Sequence, residues 1–178
     1  MNINKARSVI MGILNGNPKD EPMHYGEIYG AWTNLLTNHG MIAGYQVYIN
    51  HTGDSDLKKL VEEAIEGLKN ENTQIENLLK VNGIGLPPAP PERPVAKLED
   101  IPPGARFLDP EISASVSKDV AAGLVACSTM MGQSIREDIA VMYGQFHLAK
   151  AQFGAKMLKL NKEKGWIIPP PLQVKSIE

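Results

Sequence analysis

Histidine and carboxylate side chains are the residues through which this chain could hold a metal ion. His24 and Glu27 are three residues apart, in a His-x-x-Glu spacing that places two ligands on neighbouring turns of a helix. His39, His147 and Asp119 fall on or near the apolar side of helical patterns, so each could face a core. A lone histidine on an apolar face is usually hydrogen-bonded within the core. The three residues are therefore weak metal candidates.

Nucleophilic chemistry has less support. The sequence lacks a Gly-x-Ser-x-Gly motif. Its closely spaced glycines, Gly83-Ile-Gly85 and Gly12-Ile-Leu-Asn-Gly16, lack the strand and helix context of a phosphate loop. Cys127 is the only cysteine, and its place on an apolar stripe predicts an inert core thiol. Lys150 lies near the stripe of the last helix, where we expect it to reach a helix end or to pair with Asp119. These residues favour a protein without a catalytic site, and leave the question open.

Composition limits the class of protein. The 178 residues carry a net charge of −2, with 43% hydrophobic and 21% charged residues, as in ordinary globular domains. The basic residues do not cluster, which argues against a nucleic-acid partner. The apolar run 9–14 is too short for a membrane span and lacks the features of a signal peptide. We expect one domain, 1–178, without a membrane span or a signal peptide.

Apolar residues recur at helical spacing in five segments. A short N-terminal helix and four long helices are predicted at 3–14, 21–50, 55–81, 110–132 and 135–164. Asp109 followed by proline, and Ser134 with Glu137, have the spacing of helix starts, while Gly165 is typical of a helix end. No residue of 120–132 is charged, which predicts a helix buried on more than one side.

The segment 82–108 is long, irregular and rich in proline. It could link two domains, or it could cross over along a helical bundle. A helix of about 28 residues is about 42 Å long, and proline-rich chain extends about 3.1 Å per residue. The segment is therefore long enough to return along a whole bundle, and we favour the crossover. Two antiparallel helix pairs joined in this way predict an all-α, ferritin-like four-helix bundle.

A ferritin-like fold raises the expectation of two metal ions held by inward carboxylates. At about 100° per residue, Glu27 is predicted on the outer side of the first long helix. The acids at 62, 63 and 66 lie about 100° or more from the stripe of the second helix. The sequence therefore predicts no consensus metal site and no cofactor, with iron or manganese as the alternative.

The apolar tail 165–172 follows the last helix. Its prolines exclude a helix, and we expect the tail to fold back over the open end of the bundle. Docking on a partner is the alternative. Trp166, Ile167, Pro169 and Leu172 are the candidate interaction residues.

Four segments resemble a known family: Gly123 to Cys127, Ser134 to Asp138, Gln145 to Lys156 and Lys164 to Leu172. They are similar to the DUF3231 family of spore-forming bacteria, which is related to spore coat proteins of the coat protein F type. The resemblance covers most of the chain and is most specific over 109–172. It implies a ferritin-like bundle and an association with sporulation or the spore coat, and it supplies no catalytic residues to transfer.

The leading functional hypothesis is a non-catalytic structural or interaction protein of the spore-coat type. Relatives often carry the module twice. A single module is therefore expected to form a homodimer through the predicted helix 110–132, or to bind other coat proteins. The resemblance suggests synthesis in the cytoplasm and deposition on the spore coat. One alternative is a degenerate metal-binding protein or oxidase that uses His39 and His147. Another is a binder of small ligands in the bundle core.

Overall fold

The computed structural model describes residues 21–171 and residue 173, and they fold into four long helices. These are α1 (Tyr25–His51), α2 (Ser55–Val81), α3 (Asp109–Gln133) and α4 (Glu137–Glu163). Two 3₁₀ turns, Leu98–Asp100 and Pro103–Ala105, lie between α2 and α3. The predicted N-terminal helix 3–14 falls outside the described residues. None of the four helices is both long enough and apolar enough to cross a bilayer.

The helices form two antiparallel hairpins, α1 with α2 and α3 with α4, which pack against each other. The ion pair between Lys164 and Asp54, at 2.7 Å, joins the end of α4 to the start of α2. The hydroxyl of Thr52, at the end of α1, donates to the carboxylate of Asp109, at the start of α3. Neighbouring helices therefore run antiparallel, and the predicted all-α bundle is confirmed. The arrangement is compatible with a ferritin-like fold.

The proline-rich segment returns along α1, which confirms the crossover. Near its start, the indole of Trp32 donates to the carbonyl of Gly85 at 3.0 Å. In its middle, the side chain of Asn50 donates to the carbonyl of Pro94 at 3.0 Å. At its end, the amide of Phe107 donates to the imidazole of His51. These bonds satisfy backbone groups of a segment that has few internal partners.

Two apolar clusters fill the bundle, one toward each end. The first is centred on Leu35, Ile75, Cys127 and Tyr143. The second is centred on Tyr45, Val61, Val116 and Met157. Polar side chains from all four helices lie between the clusters, and we call them the waist: Asn38, Glu71, Asn72, Asp119 and Lys150.

The prediction for Glu27 was wrong, because its side chain is fully buried. Its carboxylate accepts hydrogen bonds from the amides of Ile135 and Arg136, at 3.0 and 3.1 Å, where α4 begins. A second oxygen accepts from the amide of His24 at 3.0 Å. The helical periodicity of the apolar residues missed Glu27 because its partners are backbone amides from a distant turn.

Three predicted helix starts also differ from the structure. The helix predicted from residue 21 begins at Tyr25, where the imidazole of His24 accepts from the amide of Gly26. The helix predicted from residue 135 begins at Glu137, and the hydroxyl of Ser134 donates to the carbonyl of Met130 instead of capping. Asp109 is the first residue of α3 rather than its cap. Its carboxylate accepts from Thr52 and Gly53, so it joins α3 to the α1–α2 turn.

Helix α3 is not buried on several sides, contrary to the prediction. Ala121 and Ala122 are exposed, and Val125 is 68% exposed. On the adjacent helix Leu148 is 60% exposed. Within the described chain, the hairpin α3–α4 therefore presents an uncharged surface to solvent, in which Val125 and Leu148 lie among exposed polar residues such as Gln145 and Gln152.

Candidate functional site at the bundle waist

A buried ion pair lies at the centre of the waist. The ammonium of Lys150 in α4 donates to both carboxylate oxygens of Glu71 in α2, at 2.5 and 2.7 Å. Their side chains are only 12% and 8% exposed. Charges this deep are stable only when paired and hydrogen-bonded. The predicted pairing of Lys150 with Asp119 was wrong.

Asn38 completes the environment of Glu71. Its side-chain amide donates to Glu71 at 3.3 Å and to the side chain of Asn72 at 2.9 Å. Glu71 was not among the predicted site residues, although the spacing of Leu68, Glu71 and Ile75 places all three on one helical face. A single acid within an apolar stripe was the available signal.

Asp119 lies on the other side of the waist. Its carboxylate accepts a hydrogen bond from the hydroxyl of Tyr45 at 3.3 Å. Burial, followed by the charge of Asp119, raises the pKa of Tyr45 far above its usual range. The hydroxyl therefore stays protonated and serves as a donor. The only ion pair of Asp119 among the described residues is with Lys118, at 3.7 Å, and that lysine is 77% exposed.

The three metal candidates do not come together. His39 lines a cavity between α1, α2 and the crossover, whereas Asp119 lines two other cavities that do not include His39. His147 is half-buried on α4 and lines neither of these cavities. Over residues 21–171 and 173, no three His, Cys, Asp or Glu side chains form a group that could hold a metal ion.

The waist residues do not fit a site for two divalent cations. Such a site needs several carboxylates with free oxygens. Glu71 is the central acid, and Lys150 already neutralises it. The sequence contains one Glu-x-x-His, a ligand motif of such sites, from Glu21 to His24. It precedes α1, and its histidine caps that helix, so the pair does not enter the bundle core.

Cys127 behaves as an apolar core residue. It is 1% exposed, and burial raises its thiol pKa to about 11. A protonated buried thiol is a poor nucleophile. The hydroxyl of Tyr143 is also buried, and it has no hydrogen-bond partner among the described residues.

Two cavities open at the waist. One, of about 300 Å³, lies toward α2 and α4 and includes Leu68 and Phe153 in its wall. The other, of about 440 Å³, lies between α1 and α3. Met41, Asp119 and Lys150 line both cavities. The waist therefore combines space, apolar walls and charge.

The tail contacts the bundle through its first residues only. Trp166 packs against the second apolar cluster, and Ile167 is half-buried. Ile168 is 95% exposed, and Pro169 is exposed with the two prolines that follow it. Leu172 lies outside the described residues. The tail thus covers the bundle end less completely than predicted, since residues 168–171 are exposed.

Two relatives share most of this chain. "Uncharacterized protein YvdQ" of Bacillus subtilis is 60% identical over 164 residues, which span 92% of this chain and 96% of that protein. A crystal structure from Bacillus halodurans C-125, described as "a putative spore coat protein (BH2358)", is 65% identical. Its TM-score is 0.88, and the match covers 89% of this chain and all of that one.

A more distant structure shares the fold alone. A conserved hypothetical protein from Mycobacterium tuberculosis, rv2844, is 13% identical with a TM-score of 0.62, covering 77% of this chain and 98% of that one. Residues 11–177 match the family described as protein of unknown function, DUF3231. The chain therefore belongs to the DUF3231 family, as the sequence resemblance indicated.

Proposed function

We propose that this protein is a non-catalytic structural component of the spore coat that associates with its own copies. The association uses the outer face of the α3–α4 hairpin, defined by Ala121, Val125, Val141, Leu148 and Ala151. All five residues are exposed. The observation that carries the proposal is the absence of charge from this face.

The uncharged surface is extensive. Residues 120–133 of α3 contain no Asp, Glu, Lys or Arg, and 139–155 of α4 contain only Lys150, which turns inward to Glu71. By contrast, the exposed side of α2 carries Lys58, Lys59 and Glu62. Exposed apolar patches on soluble proteins usually mark contacts with other molecules. The outer face is therefore suited to burial in an assembly.

Packing within the hairpin sets the shape of this face. Gly144 lies against Met131 and Gly154 against Val120, which defines the antiparallel register of α3 and α4. That register places Val125 beside Leu148. Their exposed fractions are 68% and 60%. The alanines at 121 and 151 flank them and permit close approach of another helix.

A second copy of this chain is the partner that fits best. A face without charge cannot form ion pairs with a charged partner. The same face of a second copy is also uncharged, so the two faces can pack together without burying a charge. Twofold symmetry would place the same apolar patch on both sides of the interface. The exposed tail residues, Ile168 and Pro169 among them, offer a separate contact to other coat proteins.

The assignment to the coat is supported by the Bacillus halodurans relative, whose description names the spore coat. Proteins of a coat need stable surfaces rather than an active site, and the central acid of the waist, Glu71, is already paired with Lys150.

Incorporation into the coat tests the proposal. A tagged chain is expressed in sporulating Bacillus subtilis, and coat extracts of purified spores are probed for the tag. The wild-type chain is expected in the extract, and Leu148→Glu is expected to be reduced at least tenfold because it buries a charge in the contact.

Asn77→Glu is the matched control, since it adds the same charge on the exposed side of α2. It is expected in the coat extract at the wild-type level. Circular dichroism shows whether each variant is folded. Wild-type chain found only in the mother-cell cytoplasm would overturn the coat assignment.

A further inference from the structure

We propose that the waist cavity between α2 and α4 binds an organic ammonium ion that carries an apolar body, with the ammonium on the carboxylate of Asp119. This inference does not depend on the coat assignment. It follows from the shape, the wall and the charge of the cavity.

The cavity has the size and lining of a small-molecule site. Its volume of about 300 Å³ is at the lower end of ligand pockets, which suits a ligand of about ten heavy atoms. Ala64, Leu68, Val120 and Phe153 supply apolar wall on three different helices. An aliphatic or aromatic group of moderate size would be sheltered from water there.

Carboxylates outnumber cations around this cavity. Its lining contains four acids and one lysine: Glu63, Glu66, Glu71, Asp119 and Lys150. Glu71 is neutralised by Lys150, and Glu63 pairs with Lys156 outside the cavity. Glu66 pairs with Lys69 at the surface. The charge that remains unbalanced inside belongs to Asp119.

Asp119 is positioned to receive a cation. Its side chain is 25% exposed, it faces both waist cavities, and Tyr45 donates to one of its oxygens. Lys118 is too exposed and too distant to neutralise it effectively. An ammonium placed here would form a charge-assisted hydrogen bond in a partly dehydrated setting, where such bonds are strong.

The adjoining cavity contains a second polar group without a partner in the described chain. Asn34 lines it, and the side-chain oxygen of Asn34 is buried without a partner among the described residues. A buried acceptor without a donor is destabilising. The oxygens of Asn34 and Asp119 can therefore both accept hydrogen bonds from a ligand that carries N–H groups.

An anionic ligand does not fit this arrangement. Both close contacts of Lys150 are with Glu71, so its charge is already balanced. A carboxylate or phosphate would face the acids of the lining without a free cation to bind. A neutral ligand would leave Asp119 unpaired. Charge thus selects for an ammonium over isosteric acids and alcohols.

Isothermal titration calorimetry with three probes of equal length tests the proposal: n-octylamine, n-octanol and sodium octanoate. The full-length protein at neutral pH is expected to bind n-octylamine at least tenfold more tightly than n-octanol, and octanoate without detectable heat. Equal binding of n-octylamine and n-octanol would overturn the role of charge.

Variants locate the binding. Asp119→Asn is expected to weaken n-octylamine binding at least tenfold, whereas Glu62→Gln, an exposed acid on α2 outside the cavity, leaves it unchanged. Gly67→Leu fills the mouth of the cavity and is expected to abolish binding.

Leucine favours a helix more than glycine does, and a Cβ at Gly67 meets no other atom, so the Gly67→Leu variant should fold. Its thermal unfolding is recorded alongside. Binding that survives both Asp119→Asn and Gly67→Leu in folded protein would contradict the proposed site.

Discussion

Lys150 and Glu71 connect α4 to α2 through one buried ion pair between two apolar clusters. Such a pair is costly to break, because the remaining partner becomes an uncompensated buried charge. Its contribution to stability relative to an apolar pair is small or negative. The effects of substituting Lys150 and Glu71 on the free energy of unfolding are therefore expected to be strongly non-additive.

Replacing Lys150 by methionine is expected to destabilise the fold by about 3–5 kcal/mol, since it leaves Glu71 buried and unpaired. The double variant Glu71→Leu with Lys150→Met is expected to be more stable than the single Lys150→Met variant. Urea unfolding at one protein concentration measures both.

Lys159→Met is the control, because within residues 21–171 the charge of Lys159 has one exposed contact, at 3.8 Å from Glu163. It should change the free energy of unfolding by less than about 1 kcal/mol. A Lys150→Met variant as stable as this control would contradict the account of the waist.

A second prediction concerns the buried carboxylate of Glu27. Its two oxygens accept from amides on both sides, so glutamine cannot replace it without turning a donor toward an amide. Glu27→Gln is expected to cost about 1.5–3 kcal/mol in urea unfolding. Glu62→Gln, at an exposed position, should have no measurable effect. Equal stabilities of the two variants would show that Glu27 does not stabilise the start of α4.

The C-terminal ends of α2 and α4 are fixed by the same backbone motif. Helices α2 and α4 both end in a Schellman motif, with glycine at positive φ and a backbone bond from the following residue to the carbonyl five residues earlier. Ile84 and Trp166 then pack against the two apolar clusters. Each motif therefore fixes a helix end and directs an apolar side chain onto the core.

The same substitution at two glycines should have opposite effects. Gly83→Ala is expected to destabilise by about 1 kcal/mol, because φ is 74° there. Gly67→Ala lies within α2 in open space and is expected to stabilise by about 0.5–1 kcal/mol. Thermal unfolding compares the two variants. A shift of the melting temperature in the same direction for both variants would contradict the assigned conformations.

Asp54 links the start of α2 to the end of α4. Its carboxylate accepts from the amides of Asp56 and Leu57 and from Lys164. The ammonium of Lys164, followed by the amide of Leu57, holds the pKa of Asp54 below its usual range. A lowered pKa means that the unfolded chain binds this proton more readily. The stability that Asp54 contributes is present above its ordinary pKa and is lost as the pH falls through the lowered value.

Asp54→Asn keeps a capping side chain but removes the charge. Its free energy of unfolding is expected to fall less steeply than that of the wild type between about pH 5 and pH 3. Urea unfolding at a series of pH values measures the two curves. Parallel curves would show that Asp54 makes no pH-dependent contribution.

For the molecule as a whole, the length and proline content of 82–108 predicted the crossover, and sequence periodicity predicted the four long helices. It failed where partners come from distant segments. Glu27 stabilises a turn more than a hundred residues away, and Glu71 pairs with Lys150 across the bundle. The uncharged run in α3 was recognised, but its exposure depends on which face the neighbouring helices cover. Those pairings are set by packing, which one-dimensional spacing does not encode.

The most direct test of the central claim is sedimentation equilibrium of the purified full-length chain. We expect the wild type to sediment as a dimer of 19.4 kDa chains at micromolar concentration, and Leu148→Glu as a monomer. Asn77→Glu should remain dimeric. A wild-type chain that is monomeric under these conditions, or a Leu148→Glu variant as dimeric as the wild type, would contradict self-association through the outer face.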